Sequence, residues 1–103
     1  MVKNTYKIKH ITIESTAQCF CPLGNDWYTN QFVVDFVPAE YIPDYCEMDK
    51  WITENINGKH MIIEQAVAML YDYLHNTYYP VDLHVESYVE DAKHSAVTVS
   101  RGH

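Results

Sequence analysis

Hydrophobic and polar positions alternate at the start of the chain, where Tyr6, Ile8, His10 and Thr12 interleave with Lys7, Lys9, Ile11 and Ile13. A period of two predicts a strand over about residues 5–14. From Ser15 to Asn30 no period is evident, and Pro22, Gly24, Asn25 and Asp26 are turn-formers, so the stretch reads as a long loop. Loops of that length inside a small domain are usually functional or disordered, and this one has enough aromatic and Cys content to be held down. Gln31–Val37 returns to β-branched and aromatic residues and predicts a second strand ended by Pro38. Asp44 is placed to cap a helix from Tyr45 to about Ile56, with Met48, Trp51, Ile52 and Ile56 as its apolar stripe and Asn57-Gly58 as its stop. A second helix is predicted over about Lys59–Asn76, where Ile62, Ile63, Ala66, Val67, Met69, Leu70, Tyr73 and Leu74 recur at three and four. Strict alternation resumes over Tyr78–Glu90, and after a turn at Asp91-Ala92-Lys93 a last strand is expected over His94–Ser100.

The order is strand, strand, helix, helix, strand, strand. Two hairpins with a helix pair between them build an α+β domain, a four-stranded antiparallel sheet with both helices on one face, and residues 1–103 have room for one such domain. Its two sheet edges are exposed to pairing, so assembly with further copies into a closed barrel is the expected remedy.

Composition narrows the partners. Fourteen acidic against seven basic residues give a net charge of −7, which repels a phosphate backbone and argues against nucleic acid. Lys3, Lys7 and Lys9 make only a small, solvated basic face. The opening Met1-Val2-Lys3-Asn4 lacks the apolar core of a signal peptide, and no apolar run is long enough to span a bilayer, so a cytoplasmic protein without membrane contact is expected. Three cysteines, an odd number, then read as reduced thiols rather than a disulfide framework.

The chemistry-bearing stretch is Glu14-Ser15-Thr16-Ala17-Gln18-Cys19-Phe20-Cys21-Pro22-Leu23-Gly24-Asn25-Asp26. With Ile42-Pro43-Asp44, the Cys46-to-Lys50 segment and Glu64 early in the second helix, it resembles the 7-cyano-7-deazaguanine reductases, nitrile reductases of queuosine biosynthesis built on the tunnelling fold. The resemblance implies that the loop Cys attacks the nitrile carbon to give a thioimide, that Asp26 acts as the acid, and that Glu64 grips the guanidine-like edge of the base, with His60 one turn earlier as its companion. Such chemistry needs a thiolate, a proton donor for the developing imine nitrogen, and a carboxylate opposite paired N–H donors. Spacing to Glu14 and Asp26 selects Cys19 as nucleophile, whereas the Pro that follows the family's Cys selects Cys21; Cys19 is taken first. NADPH is the implied reductant, and of the family's Glu-Ser-Lys cofactor segment only Lys50 is kept, in Met48-Asp49-Lys50. A short sister group, archaeal amidinotransferases acting on the same nitrile in tRNA, also lacks that segment. The family's sites lie between subunits, which gives the homo-oligomer a chemical purpose.

Plainer readings stand beside each feature. Cys19 and Cys21 also fit two ordinary thiols or a metal pair, Cys46 fits helix packing, Asp26 a turn, Glu64 a solvated helix face, and His84 and His94 plain strand surface. No metal is expected. Three function classes follow: a nitrile-active enzyme, reducing the nitrile or adding an amine to it; a non-catalytic module binding a purine or pterin; and a Cys/His metal-binding protein.

Overall fold

A computed structural model describes residues 1–103. In chain order the elements are β1 (Val2–Lys3), β2 (Ile11–Cys21), β3 (Asp26–Val37), β4 (Tyr41–Ile42), α1 (Tyr45–Asn55), α2 (Ile63–Tyr78), β5 (Asp82–Val89) and β6 (Val97–Gly102). The main sheet is antiparallel in the order β2-β3-β5-β6, and β1 and β4 form a short ladder of their own. Met48 and Ile52 of α1 and Ala66, Val67, Leu70 and Leu74 of α2 join Phe32, Val34, Phe36, Leu83 and Val85 in one core, so both helices lie on the same sheet face. The expected α+β arrangement is the observed one.

The loop expected over Ser15–Asn30 is not a loop. β2 continues to Cys21 and β3 begins at Asp26, and the two pair without a bulge from Ile11↔Phe36 to Cys21↔Asp26. The alternation is hidden because the inward positions Ser15, Ala17 and Cys19 are small. Their partners Phe32, Asn30 and Tyr28 supply the bulk from across the ladder. Residues 22–25 make the turn, closed by the Asn25 N–H donating to the Cys21 carbonyl at 2.8 Å, with Asn25 at φ 55°. Asn tolerates that left-handed conformation better than most residues. The strand expected over 5–14 starts later, at Ile11. Before it, the Asn4 amide both donates to Ile8 O at 3.0 Å and accepts from Ile8 N–H at 2.9 Å, folding the lead-in away from the sheet.

α1 starts as expected, with the Asp44 carboxylate accepting the Glu47 N–H at 3.1 Å. α2 starts at Ile63 rather than Lys59, because residues 57–61 bind the edge of β2 instead. Gln18 N–H donates to Asn57 Oδ1 at 2.9 Å, Gly58 N–H to Gln18 O at 2.7 Å, Phe20 N–H to Lys59 O at 2.9 Å and Met61 N–H to Phe20 O at 3.0 Å. The chain thereby covers the Gln18–Phe20 part of one exposed edge itself. α2 ends on Tyr79 at φ 48°, followed by Pro80, so β5 begins at Asp82 rather than Tyr78. The turn expected at 91–93 is a longer connection, 90–96, and β6 runs Val97–Gly102 instead of His94–Ser100. Asp91 holds that connection to the sheet by accepting the Thr29 N–H at 2.9 Å. Partial burial opposes its charge, but the hydrogen bonds from Thr29 and from its own backbone outweigh this and hold the carboxyl below its ordinary range.

Two polar side chains, Asn30 and Ser87, lie inside the core. Asn30 is fully buried, donates to Ala17 O at 3.2 Å and to Cys19 Sγ at 3.5 Å, and accepts from Ser87 Oγ at 2.9 Å. A buried amide without partners costs several kcal/mol, and three bonds spread over β2 and β5 remove that cost. Asn30→Leu strands the Ser87 hydroxyl and is expected to lower unfolding free energy in urea titration by about 1–3 kcal/mol, with Asn30→Leu/Ser87→Ala recovering part of the loss.

Candidate active site

The β2–β3 hairpin delivers both candidate thiols. Cys19 and Cys21 are two apart on one strand and point to the same face, yet they stand at different depths. Cys19 is 0% exposed, donates to the Ile56 carbonyl at 3.3 Å and accepts from Asn30 Nδ2. Burial pushes its thiol up, against the opposing influence of the neighbouring Tyr28 hydroxyl and the Asn30 amide, so it sits as a protonated core residue. Cys21, next to the turn, is only half-buried. The Gly24 N–H donates to its sulfur at 3.4 Å.

Cys21, Tyr28, Ile63, Glu64, His94 and Val99 line a cavity of about 480 Å³ at one end of the sheet, between the hairpin tip, the start of α2 and the start of β6. That volume suits a small heterocycle. Glu64 stands in the first turn of α2, exposed towards the cavity, where the helix dipole favours a carboxylate. Asp26 faces Cys21 across the ladder and shares with Cys21, Tyr28 and His94 a narrow adjoining recess. Tyr28 fixes the geometry, since its hydroxyl donates to Met61 O at 2.6 Å while Met61 N–H is held by Phe20. Burial, and then the neighbouring Cys19, push the Tyr28 hydroxyl far above its ordinary range, so it remains a donor at any physiological pH.

The other expected site residues lie elsewhere. His60 packs against Phe20, ring centroids 4.9 Å apart, and Phe20 points to the sheet face opposite Cys21. Lys50 is on α1 in a shallow hollow with Glu47 and Glu54, outside the cavity. Cys46, expected to pack, is exposed on α1. His84 is on the helix-free face, 4.0 Å from Asp35, which His10 approaches at 3.1 Å. His94, expected on a strand, is in the 90–96 connection and reaches the cavity from there. Nothing periodic marked it, and only the hairpin's real length reveals it. No group of three His, Cys, Asp or Glu side chains is arranged to hold a metal ion. A larger recess of about 780 Å³ runs beside β2 past Glu14, Asp49 and Glu86, but it holds neither thiol nor cation. No helix is long and apolar enough to cross a membrane.

No protein-family model matches the sequence, and no curated protein matches it. Among solved structures, the crystal structure of the archaeosine synthase QueF-Like in the apo form superposes with a TM-score of 0.82, over 93% of this chain and 94% of that chain. The fold is the QueF-like tunnelling fold. Identity to that structure is 13%, so the likeness is one of backbone. Any chemistry of this chain rests on the side chains that its own hairpin and α2 bring together.

Two outcomes follow from this geometry. With an excess of an alkylating reagent, Cys46 and Cys21 should be modified in the folded protein and Cys19 only after denaturation, as read by peptide mass spectrometry. Tyr28→Phe leaves the Met61 carbonyl without its donor and should lower stability by about 1–2 kcal/mol in thermal or urea unfolding.

Proposed function

We propose that this chain captures the nitrile carbon of a 7-cyano-7-deazaguanine-like base on Cys21 as a covalent thioimide. The observation that supports it is the shared cavity: a half-buried thiol and a carboxylate at a helix N-terminus line one space of about 480 Å³, while the alternative thiol, Cys19, is shut in the core. Glu64 would accept the paired N–H donors of the base in a bidentate, charge-assisted contact, orienting the ring with its nitrile towards Cys21. Asp26, opposite Cys21 in the ladder, handles the proton that the imine nitrogen acquires.

Resolution of the thioimide by an amine is favoured over reduction. The likeness to an archaeosine synthase supports amidine formation. The residues present also fit NADPH poorly, since Lys50 stands between Glu47 and Glu54 in a hollow of about 180 Å³. A dinucleotide phosphate needs more room and more positive charge than that. An amine nitrogen adding to the thioimide carbon and expelling the Cys21 thiolate gives an amidine with no change of oxidation state. The chain's charge of −7 favours the free base over a polyanion as the species bound.

Intact-mass measurement after mixing with 7-cyano-7-deazaguanine should show one adduct per chain, retained in Cys19→Ala if that variant folds and lost in Cys21→Ala. Subsequent ammonia should release the amidine, whereas release dependent on NADPH oxidation would restore the reductase reading. Binding without an adduct in wild type, weakened by Glu64→Leu, would instead mark a non-catalytic purine or pterin binder.

A further inference from the structure

The titratable side chains lining the cavity are Cys21, Tyr28, Glu64 and His94. Tyr28 is committed as a donor to Met61 O and cannot take a proton. Glu64 lies on α2, on the ligand-orienting side. With Asp26, which faces Cys21 across the ladder, assigned to the imine proton, His94 remains as the group to deprotonate the thiol. His94 lines both the cavity and the narrow recess, as do Cys21 and Tyr28, so it borders the same space as the Cys21 thiol and, in the recess, the same space as Asp26.

The ring is also held in a defined state. His94 Nδ1 is 2.7 Å from the Ser95 carbonyl oxygen. A carbonyl oxygen only accepts, so Nδ1 carries the hydrogen, and the neutral ring keeps its lone pair on Nε2. A fixed Nδ1–H is the usual means by which a protein prepares the other imidazole nitrogen for proton transfer. The imidazole comes from the β5–β6 connection, which Asp91 ties to Thr29 beside the hairpin tip.

We propose that His94 is the general base that activates Cys21, an inference that rests on the reading of Cys21 as the nucleophile. The Cys21 S–H proton passes to His94 Nε2, and the sulfur electron pair forms the C–S bond as one π bond of the nitrile breaks onto nitrogen. The imidazolium returns the proton through the Asp26 carboxyl to that nitrogen. The thiol has then added across the nitrile, and no oxidant or reductant is consumed. His94 is exposed and away from the core, so its replacement should leave the fold intact.

The test uses the full chain and two electrophiles. With iodoacetamide, His94→Gln should slow alkylation of Cys21 on the order of tenfold while Cys46, read in the same digest, keeps its rate. Added imidazole should restore part of the Cys21 rate in His94→Ala. With 7-cyano-7-deazaguanine, His94→Gln should slow adduct formation by about a hundredfold. Affinity for the nitrile, compared between Cys21→Ala and Cys21→Ala/His94→Gln, should stay the same. Cys21 alkylation at the wild-type rate in His94→Gln, or equal slowing of Cys21 and Cys46, overturns the proposal. A wild type that forms no nitrile adduct yet shows His94-dependent alkylation defeats the nitrile assignment alone and upholds His94 as the base.

Discussion

The unbroken antiparallel ladder between β2 and β3 is the constraint on which the rest depends. Because it runs from Ile11↔Phe36 to Cys21↔Asp26 without a bulge, side-chain direction is fixed by parity along its whole length. Odd positions of β2 face the helices, and even positions of β3 do the same. A slip of one residue would turn either Cys19 and Cys21 of β2 or Tyr28, Phe32 and Phe36 of β3 to the opposite face. The hydrophobic effect thus guards the register, and the register in turn places the chemistry.

Polar groups inside that frame are each given a job. Asn30 joins three strands through Ala17, Cys19 and Ser87, and Tyr28 joins the hairpin to the start of α2 through Met61. Both lie between the deep core and the open cavity. They mark the level along β3 at which dry packing against α1 and α2 gives way to a space walled by Cys21, Glu64 and His94. Cys19 belongs below that level and Cys21 above it, which is why two chemically identical residues on one face differ in what they can do.

The element order and the amphipathic helices were legible in the sequence because each helix carries a stripe of large apolar residues that only one face can bury. The hairpin was not, since the inward side chains of β2 shrink from Ile11 and Ile13 to Ser15, Ala17 and Cys19 and the bulk crosses to β3. A pattern summed along one strand misses volume supplied by its neighbour. The same gap hid the choice of thiol: a linear spacing pairs Cys19 with Asp26, whereas the short turn pairs Cys21 with Asp26 and Cys19 with Tyr28. Glu64, to which the resemblance pointed, lies in the first turn of the helix that the periodicity predicted. His60 was expected one turn earlier on that helix, but residues 57–61 pair with β2 and turn it to the far side of the sheet. His94 belongs to an irregular connection, where no period exists to read.

The bonds between residues 57–61 and β2 carry one more consequence. Met61 is gripped through both its N–H, by Phe20, and its carbonyl, by Tyr28, and only Ile62 and Ile63 separate it from Glu64. The distance from the Cys21 sulfur to the Glu64 carboxylate is therefore measured out in backbone, as on a caliper whose jaws are a strand end and a helix start. In the proposed site, a caliper set in this way would sort ligands by width. Resetting it for a broader or narrower ring would take an insertion or deletion between Gly58 and Ile63, because a change of side chain in the cavity wall alters the lining but leaves the jaws where they are.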